Sequence, residues 1–100
     1  MRYRSGKYSE KDFTTDIRSF AKTVGGWLEY HTYDSRRSTP GFPDLVLVRD
    51  ERLIFAELKV GRGKLSQFQK MWLSELHKVP KVEVYLWHPT DWENICDILR

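Results

Sequence analysis

Two apolar runs, LVLV at 45–48 and LIFAELKV at 53–60, flank four polar residues, and this arrangement restricts the fold more than any other feature. Each run is short enough to be a strand, and the Arg49–Arg52 segment between them is polar enough to be a turn. The pair predicts a β-hairpin, with Leu45–Val48 buried on both faces because it carries no polar alternation. The second run is interrupted by Glu57 and Lys59. Side chains alternate along a strand, so these two project from one face and Leu58 from the other.

The rest of the chain arranges itself around that hairpin. Ser9 caps a helix by accepting from the N–H of Asp12. Phe13, Ile17, Phe20, Ala21 and Val24 form its apolar stripe, and Gly25-Gly26 ends it. A strand over Trp27–Tyr33 and a loop over Asp34–Pro43 come before the hairpin. After it come the basic glycine loop Gly61–Lys64 and a helix capped by Ser66 with Gln69 in capping-box position. Phe68, Met71, Trp72 and Leu76 are the expected apolar face of that helix. Pro80 breaks the chain before a strand over Val82–Trp87, and Thr90, with Glu93 three residues on, caps a final helix. Helices and strands interleave in the order αβββαβα, so the class is α/β with a central mixed sheet. Residues 1–8 form a loose basic tail and 9–100 a single domain.

Composition narrows the function classes. One hundred residues support one core, filled here by four Trp, five Phe and five Tyr. No apolar run approaches the roughly 20 residues of a membrane span, and MRYRSGKYSEK has no apolar stretch that would serve as a secretory signal. The single cysteine, Cys96, leaves no internal disulfide and no multi-cysteine zinc site, and it falls with Trp92, Ile95 and Leu99 at core spacing. A reducing, cytoplasmic setting is expected. The net charge of +3 is only mildly basic. Residues 1–40 carry eight Lys/Arg against five acids, and residues 41–100 carry nine against nine. Arg36–Arg37 and Arg62–Lys64 are candidate phosphate contacts, with a solvated surface as the alternative.

The chemistry lies in Asp44 and, after twelve intervening residues, Glu57-Leu58-Lys59. A hairpin turning at 49–52 brings Asp44 beside the Glu57–Lys59 end of the ladder. Two carboxylates and an ammonium then meet on otherwise apolar strands, where each charge costs several kcal/mol to bury unless paired or metal-bound. Asp44, Glu57 and a backbone carbonyl, that of Leu58, suit a hard cation such as Mg²⁺ or Mn²⁺. Such an ion polarises a phosphate and acidifies water, while Lys59 orients the water or neutralises charge on the phosphoryl oxygens. An ion network that merely ties the hairpin is the alternative. His31 lies on the neighbouring strand as a possible base, although a packed strand histidine is the commoner case.

The run GFPDLVLVRDERLIFAELKVGRGKLSQFQKMWLSEL resembles the VRR-NUC (virus-type replication-repair nuclease) family of the PD-(D/E)xK superfamily, and YHTYDSRRS and VYLWHPTDW extend the likeness over about residues 9–100. The resemblance implies a restriction-endonuclease-like fold and Mg²⁺- or Mn²⁺-dependent phosphodiester hydrolysis. Asp44, Glu57 and Lys59 would be its catalytic residues. It adds Glu10 as a metal ligand, although Glu also suits a helix N-terminus. It adds Gln69 as a support for water or the DNA backbone, although the capping box alone explains a Gln there. Ser35, Arg36 and Arg37, in a loop near Asp44, and Lys64 more weakly, would contact DNA phosphates. The family includes small phage and bacterial proteins and the catalytic domain of a larger Fanconi-associated repair nuclease. Its stand-alone members resemble homodimeric Holliday-junction resolvases, which implies a dimer acting on branched DNA. A non-cleaving module that binds branched DNA and a nuclease acting on RNA remain as rivals.

Overall fold

A computed structural model describes residues 7–32, 37 and 39–100. The elements are α1 (Glu10–Thr23), β1 (Leu28–His31), β2 (Leu45–Arg49), β3 (Arg52–Leu58), α2 (Gln67–His77), β4 (Val82–Trp87), a 3-10 turn (Pro89–Asp91) and α3 (Trp92–Leu99). The four strands form one sheet in the order β1-β2-β3-β4. β1 pairs antiparallel with β2, from Leu28↔Val48 to His31↔Leu45. The expected hairpin is present, with β2 against β3 from Arg49↔Arg52 to Leu45↔Ala56. β3 pairs parallel with β4, from Leu53↔Val82 to Leu58↔Trp87, and α2 makes the crossover that a parallel pair requires. The sheet is therefore mixed, as the alternation of elements predicts.

The hairpin turns on Asp50 and Glu51, whose φ angles are +49° and +67°. Two successive left-handed residues match the right-handed twist of the flanking strands. Asp is common at the first of these positions, but Glu51 stands where glycine is usual, so the sequence marks the turn only in part. The first two helix caps form as expected. Asp12 N–H donates to Ser9 Oγ at 3.0 Å, and Gln69 N–H donates to Ser66 Oγ at 3.1 Å. The third differs. Thr90 is exposed, and the chain enters α3 through the 3-10 turn, where His88 N–H donates to the Asp91 carboxylate at 2.8 Å.

The core lies between the sheet and the α1–α3 layer. Phe13, Ile17 and Ala21 of α1 meet Leu45, Leu47, Ile54, Ala56, Leu58 and Trp87 of the sheet and Ile95 and Leu99 of α3. Trp27 closes one end: its indole N–H donates to Leu99 O at 2.8 Å, and the Arg49 and Arg52 guanidinium groups lie 4.5 and 5.0 Å from its ring centre. Tyr8, assigned from sequence to the tail, packs against this core and onto Phe13, with its hydroxyl donating to Asp16. Ile54→Ala, at a fully buried position in β3, is expected to destabilise the domain by about 2–5 kcal/mol in urea unfolding, since the vacated space cannot collapse within a β-sheet.

The other face of the sheet is only partly covered, which corrects two expectations. β2 is buried on one face alone: Leu45 and Leu47 are fully buried, whereas Val48 is 42% exposed beside Leu28 at 75%. The reason is that α2 packs against β4 and leaves the β1–β2 side open. On α2 itself, Leu73 is the buried residue, and Phe68 and Met71 stand more than half exposed. Val24 likewise projects into solvent past the last turn of α1. Among the described residues, no helix is long and apolar enough to cross a membrane.

Candidate metal centre and active site

The site forms where the sheet is notched. β2 begins at Leu45, opposite Ala56, but β3 runs two residues further, to Leu58. Beyond Ala56 the β2 side of β3 has no ladder partner, and the Asp44 side chain takes the vacant place: Leu58 N–H donates to Asp44 Oδ2 at 2.8 Å. In a strand the N–H and C=O of one residue point to the same side, so the Leu58 carbonyl also faces the notch. Pro43 and Asp44 are held from behind by Thr32, the residue after β1. Its N–H donates to Asp44 O at 3.0 Å and its hydroxyl to Pro43 O at 3.1 Å. Nothing in the sequence marks Thr32 for this task.

Glu57 is 1% exposed. Its Oε2 accepts from Gln69 Nε2 at 2.9 Å, while Oε1 is buried and finds no hydrogen-bond partner among the described residues. Gln69 therefore does two things at once. Its carbonyl oxygen accepts from Ser66 N–H at 2.8 Å, closing the capping box, and its amide nitrogen holds Glu57. Glu10 arrives from the first turn of α1. One carboxylate oxygen each from Glu10, Asp44 and Glu57 lies within 4.8 Å of the other two.

Three carboxylates so close repel strongly. A charge pair 4–5 Å apart carries about 3–4 kcal/mol at an effective dielectric of about 20. The strain appears in the titration of the group least able to reach water. The Glu57 carboxyl is pushed up to about 9, chiefly by burial, then by the Asp44 charge and by the hydrogen bond its protonated form can share with Asp44, with a smaller push from Glu10 and an opposing pull from Lys59. Glu10 is also raised, again by loss of solvent and by Asp44, and again against Lys59. The Lys59 ammonium is thus within electrostatic reach of both. Its backbone N–H bonds Trp87 O at 3.0 Å, and a Cβ at Gly63 would lie 3.5 Å from its Cδ, so the glycine loop folds back over its stem.

This donor set fits a divalent cation. Oxygens bound at about 2.0–2.6 Å to one ion stand no more than about 4–5 Å apart, the spacing of these three carboxylates. The Glu57 carboxylate, with one oxygen unpartnered among the described residues and set in a cluster of like charge, is what a cation would satisfy. The ligands would be Glu10, Asp44 and Glu57, with the Leu58 carbonyl turned the same way. A cluster of oxygens alone selects hard cations over soft ones without naming which.

The remaining candidates divide. Arg37 and Lys64 are exposed, and Ser35 and Arg36 lie outside the described residues. His31 sits at the end of β1, with its Nδ1 3.4 Å from the Arg18 guanidinium, which also makes a paired contact with Glu29 at 2.7 and 2.9 Å. Burial and the Arg18 charge hold its imidazole below the usual histidine range. Gln69→Ala is expected to leave the fold intact and weaken cation affinity or turnover by about 10–100-fold, the usual effect of removing a group that orients a ligand. Titration with Mn²⁺ by calorimetry checks it.

The VRR-NUC domain model matches residues 7–88. A solved structure named VRR_NUC domain protein superposes with a TM-score of 0.70 at 16% identity, covering 93% of this chain and 86% of that one. At that identity the likeness speaks for the fold. No curated protein matches the chain. The matched segment runs from before Glu10 to beyond Trp87 and so contains all four strands and every acidic residue of the cluster, and the chain belongs to the VRR-NUC domain family, a family of nuclease type.

Proposed function

We propose that the protein is a DNA endonuclease that hydrolyses phosphodiester bonds with Mg²⁺ or Mn²⁺, and that it acts on branched DNA as a homodimer. The observation that carries the hydrolytic reading is the buried Glu57 carboxylate, which has one oxygen unpartnered among the described residues and one within 4.8 Å of Asp44 and Glu10 oxygens. A purely structural carboxylate would be expected to have its lone pairs satisfied, because an unmet buried acceptor costs about 1–3 kcal/mol or more.

A bound divalent ion would supply Lewis-acid polarisation of the phosphate and a lowered water pKa. The chain does the rest. Asp44 is fixed by the Leu58 N–H, and Glu57 by Gln69. Lys59 orients the attacking water or neutralises the charge that builds on the phosphoryl oxygens. The water oxygen forms the new bond to phosphorus as the P–O ester bond opposite breaks, and the departing oxygen takes up a proton. Exposed Arg37 and Lys64, with Ser35 and Arg36 of the same loop as Arg37, would grip flanking phosphates.

Dimerisation is supported by the apolar surface left open. Leu28, Tyr30 and Val48 are 75%, 62% and 42% exposed on one side of the β1–β2 edge. A two-fold dimer would supply two active sites for paired cuts. A monomeric mass in solution at micromolar concentration would reject it.

The deciding experiment incubates labelled junction, flap, duplex and single-stranded DNA, and matching RNA, with the protein and Mn²⁺, against Lys59→Ala. Cutting that needs metal and disappears in the variant is the expected result. Tight binding with no cutting would instead make the protein a binding module, and preferential cutting of RNA would reassign the substrate.

A further inference from the structure

Asp44 and Gln69 reach Glu57 from different directions, one from the loop before β2 and one from the first turn of α2. Their separation depends on how residues 40–42 lie against α2, and that contact is unusually close. Trp72 Nε1–H donates to Pro40 O at 3.1 Å. The Phe42 ring packs edge-on to Trp72, centroids 5.1 Å apart, and to Phe55 of β3 at 6.0 Å. Between these anchors the Gly41 backbone presses on the start of α2. A Cβ at Gly41 would stand 2.4 Å from the Phe68 carbonyl carbon, 2.6 Å from its oxygen and 2.7 Å from its Cβ. Two of those atoms are helix backbone, which no rotamer change can move aside.

Phe68 directly precedes Gln69, and Asp44 follows Gly41 by three residues. Anything that pushes the loop and helix apart must pull the Gln69 amide from Glu57, the Asp44 carboxylate from the Leu58 N–H, or both. Those bonds are 2.9 and 2.8 Å now. Glycine is needed twice over, because Gly41 also has a φ of +89°. Gly26 shares the second requirement and lacks the first: its φ is +69°, and a Cβ there would meet nothing within 4 Å among the described residues.

We infer that Gly41, seconded by Trp72, is a positioning residue: its side-chain-free contact with Phe68 sets the spacing between the Asp44 half of the site and the Glu57–Gln69 half. It touches no reacting atom. The inference rests on the nuclease reading for its catalytic consequence, but its structural part can be read separately.

The test is Gly41→Ala in the full chain, with Gly26→Ala as the control for backbone strain alone. In Gly41→Ala, hydrogen exchange at the Leu58 amide should accelerate by about tenfold or more as its bond to Asp44 is lost. Mn²⁺ affinity should fall about 10–100-fold, and kcat for cleavage should fall similarly with KM little changed. Gly26→Ala should lower the melting temperature yet leave the Leu58 amide and Mn²⁺ affinity as in wild type. Trp72→Phe keeps the ring and loses the bond to Pro40, so a smaller weakening of Mn²⁺ binding, about three- to tenfold, is expected. It also carries the test should Gly41→Ala fail to fold. Unchanged Leu58 exchange and Mn²⁺ affinity in Gly41→Ala, or equal changes in Gly26→Ala, would overturn the inference. A wild type that binds Mn²⁺ and cuts no nucleic acid would overturn the nuclease reading instead, while the exchange and affinity readouts still decide the positioning.

Discussion

Glu57→Gln is expected to lose phosphodiester hydrolysis by at least about 10²–10³-fold and, in the same protein, to melt higher than wild type at pH 8 without divalent metal. The two effects have one cause. The amide is nearly isosteric with the carboxyl and is neutral without taking up a proton, so it removes a buried group that at pH 8 must hold a proton or a cation to stay buried. The folded-state carboxyl is raised to about 9 from an ordinary value of 4.5. A raised carboxyl binds its proton more tightly in the fold than in the unfolded chain. The stability it contributes is thus complete below about pH 4.5 and is lost progressively as pH climbs from there to about 9. Metal-free wild type should therefore lose stability across that window, and Glu57→Gln should lose less. A gain of roughly 1 kcal/mol at pH 8 corresponds to about 4–8 °C in a domain of this size. Adding Mn²⁺ should reverse the order. At a metal concentration about 100 times Kd the wild type gains about 2.7 kcal/mol, or about 10 °C or more, and the variant far less. Melting curves at pH 5.5 and 8, each with chelator and with Mn²⁺, give all four values. A variant less stable than wild type at pH 8 in chelator would show that Glu57 is satisfied without a cation and would remove the main support for the metal centre.

Lys59→Ala should abolish most cutting, by about 10²–10⁴-fold, while keeping the ability to bind Mn²⁺. Lys59 is not a ligand. Its charge pulls the Glu10 and Glu57 carboxyls down and so favours their ionised, metal-binding form. The same positive charge repels a cation. Removing it relaxes both influences at once, and because they oppose, affinity should change far less than rate. Lys59→Arg separates the two roles assigned to the ammonium. Guanidinium keeps the positive charge but does not give up a proton near neutral pH. Recovery of most of the rate in Lys59→Arg would identify charge neutralisation at the phosphoryl oxygens. Failure to recover would leave orientation or deprotonation of water as the dominant role. Loss of Mn²⁺ binding in Lys59→Ala as large as that measured in Asp44→Asn, which removes a proposed ligand, would contradict the assignment of Lys59 as a non-ligand.

The chain by itself determines whatever rests on near neighbours. The hairpin is legible because both of its strands and its turn lie within one short stretch. The caps of α1 and α2 are legible because Ser9–Asp12 and Ser66–Gln69 pair over three residues. The Glu57–Lys59 spacing is legible because strand alternation fixes which side chains share a face. Asp44 could be brought near them from sequence because a hairpin has only one way to close. Tertiary structure alone decided the rest, and each case is a contact across the chain. Gln69 finds Glu57 over 12 residues, and Trp72 finds Pro40 over 32. Neither of these has a local pattern, because the geometry that makes it is set by how α2 crosses the sheet. The same crossing explains the errors of burial. Periodicity shows that α2 and β2 carry apolar residues, but not which will meet a partner. α2 lies toward β4, so Leu73 is buried, while Phe68, Met71 and Val48 face solvent. Gly41 shows the limit most plainly. Its sequence neighbours mark only a turn, and only the folded backbone reveals that no larger residue fits against Phe68.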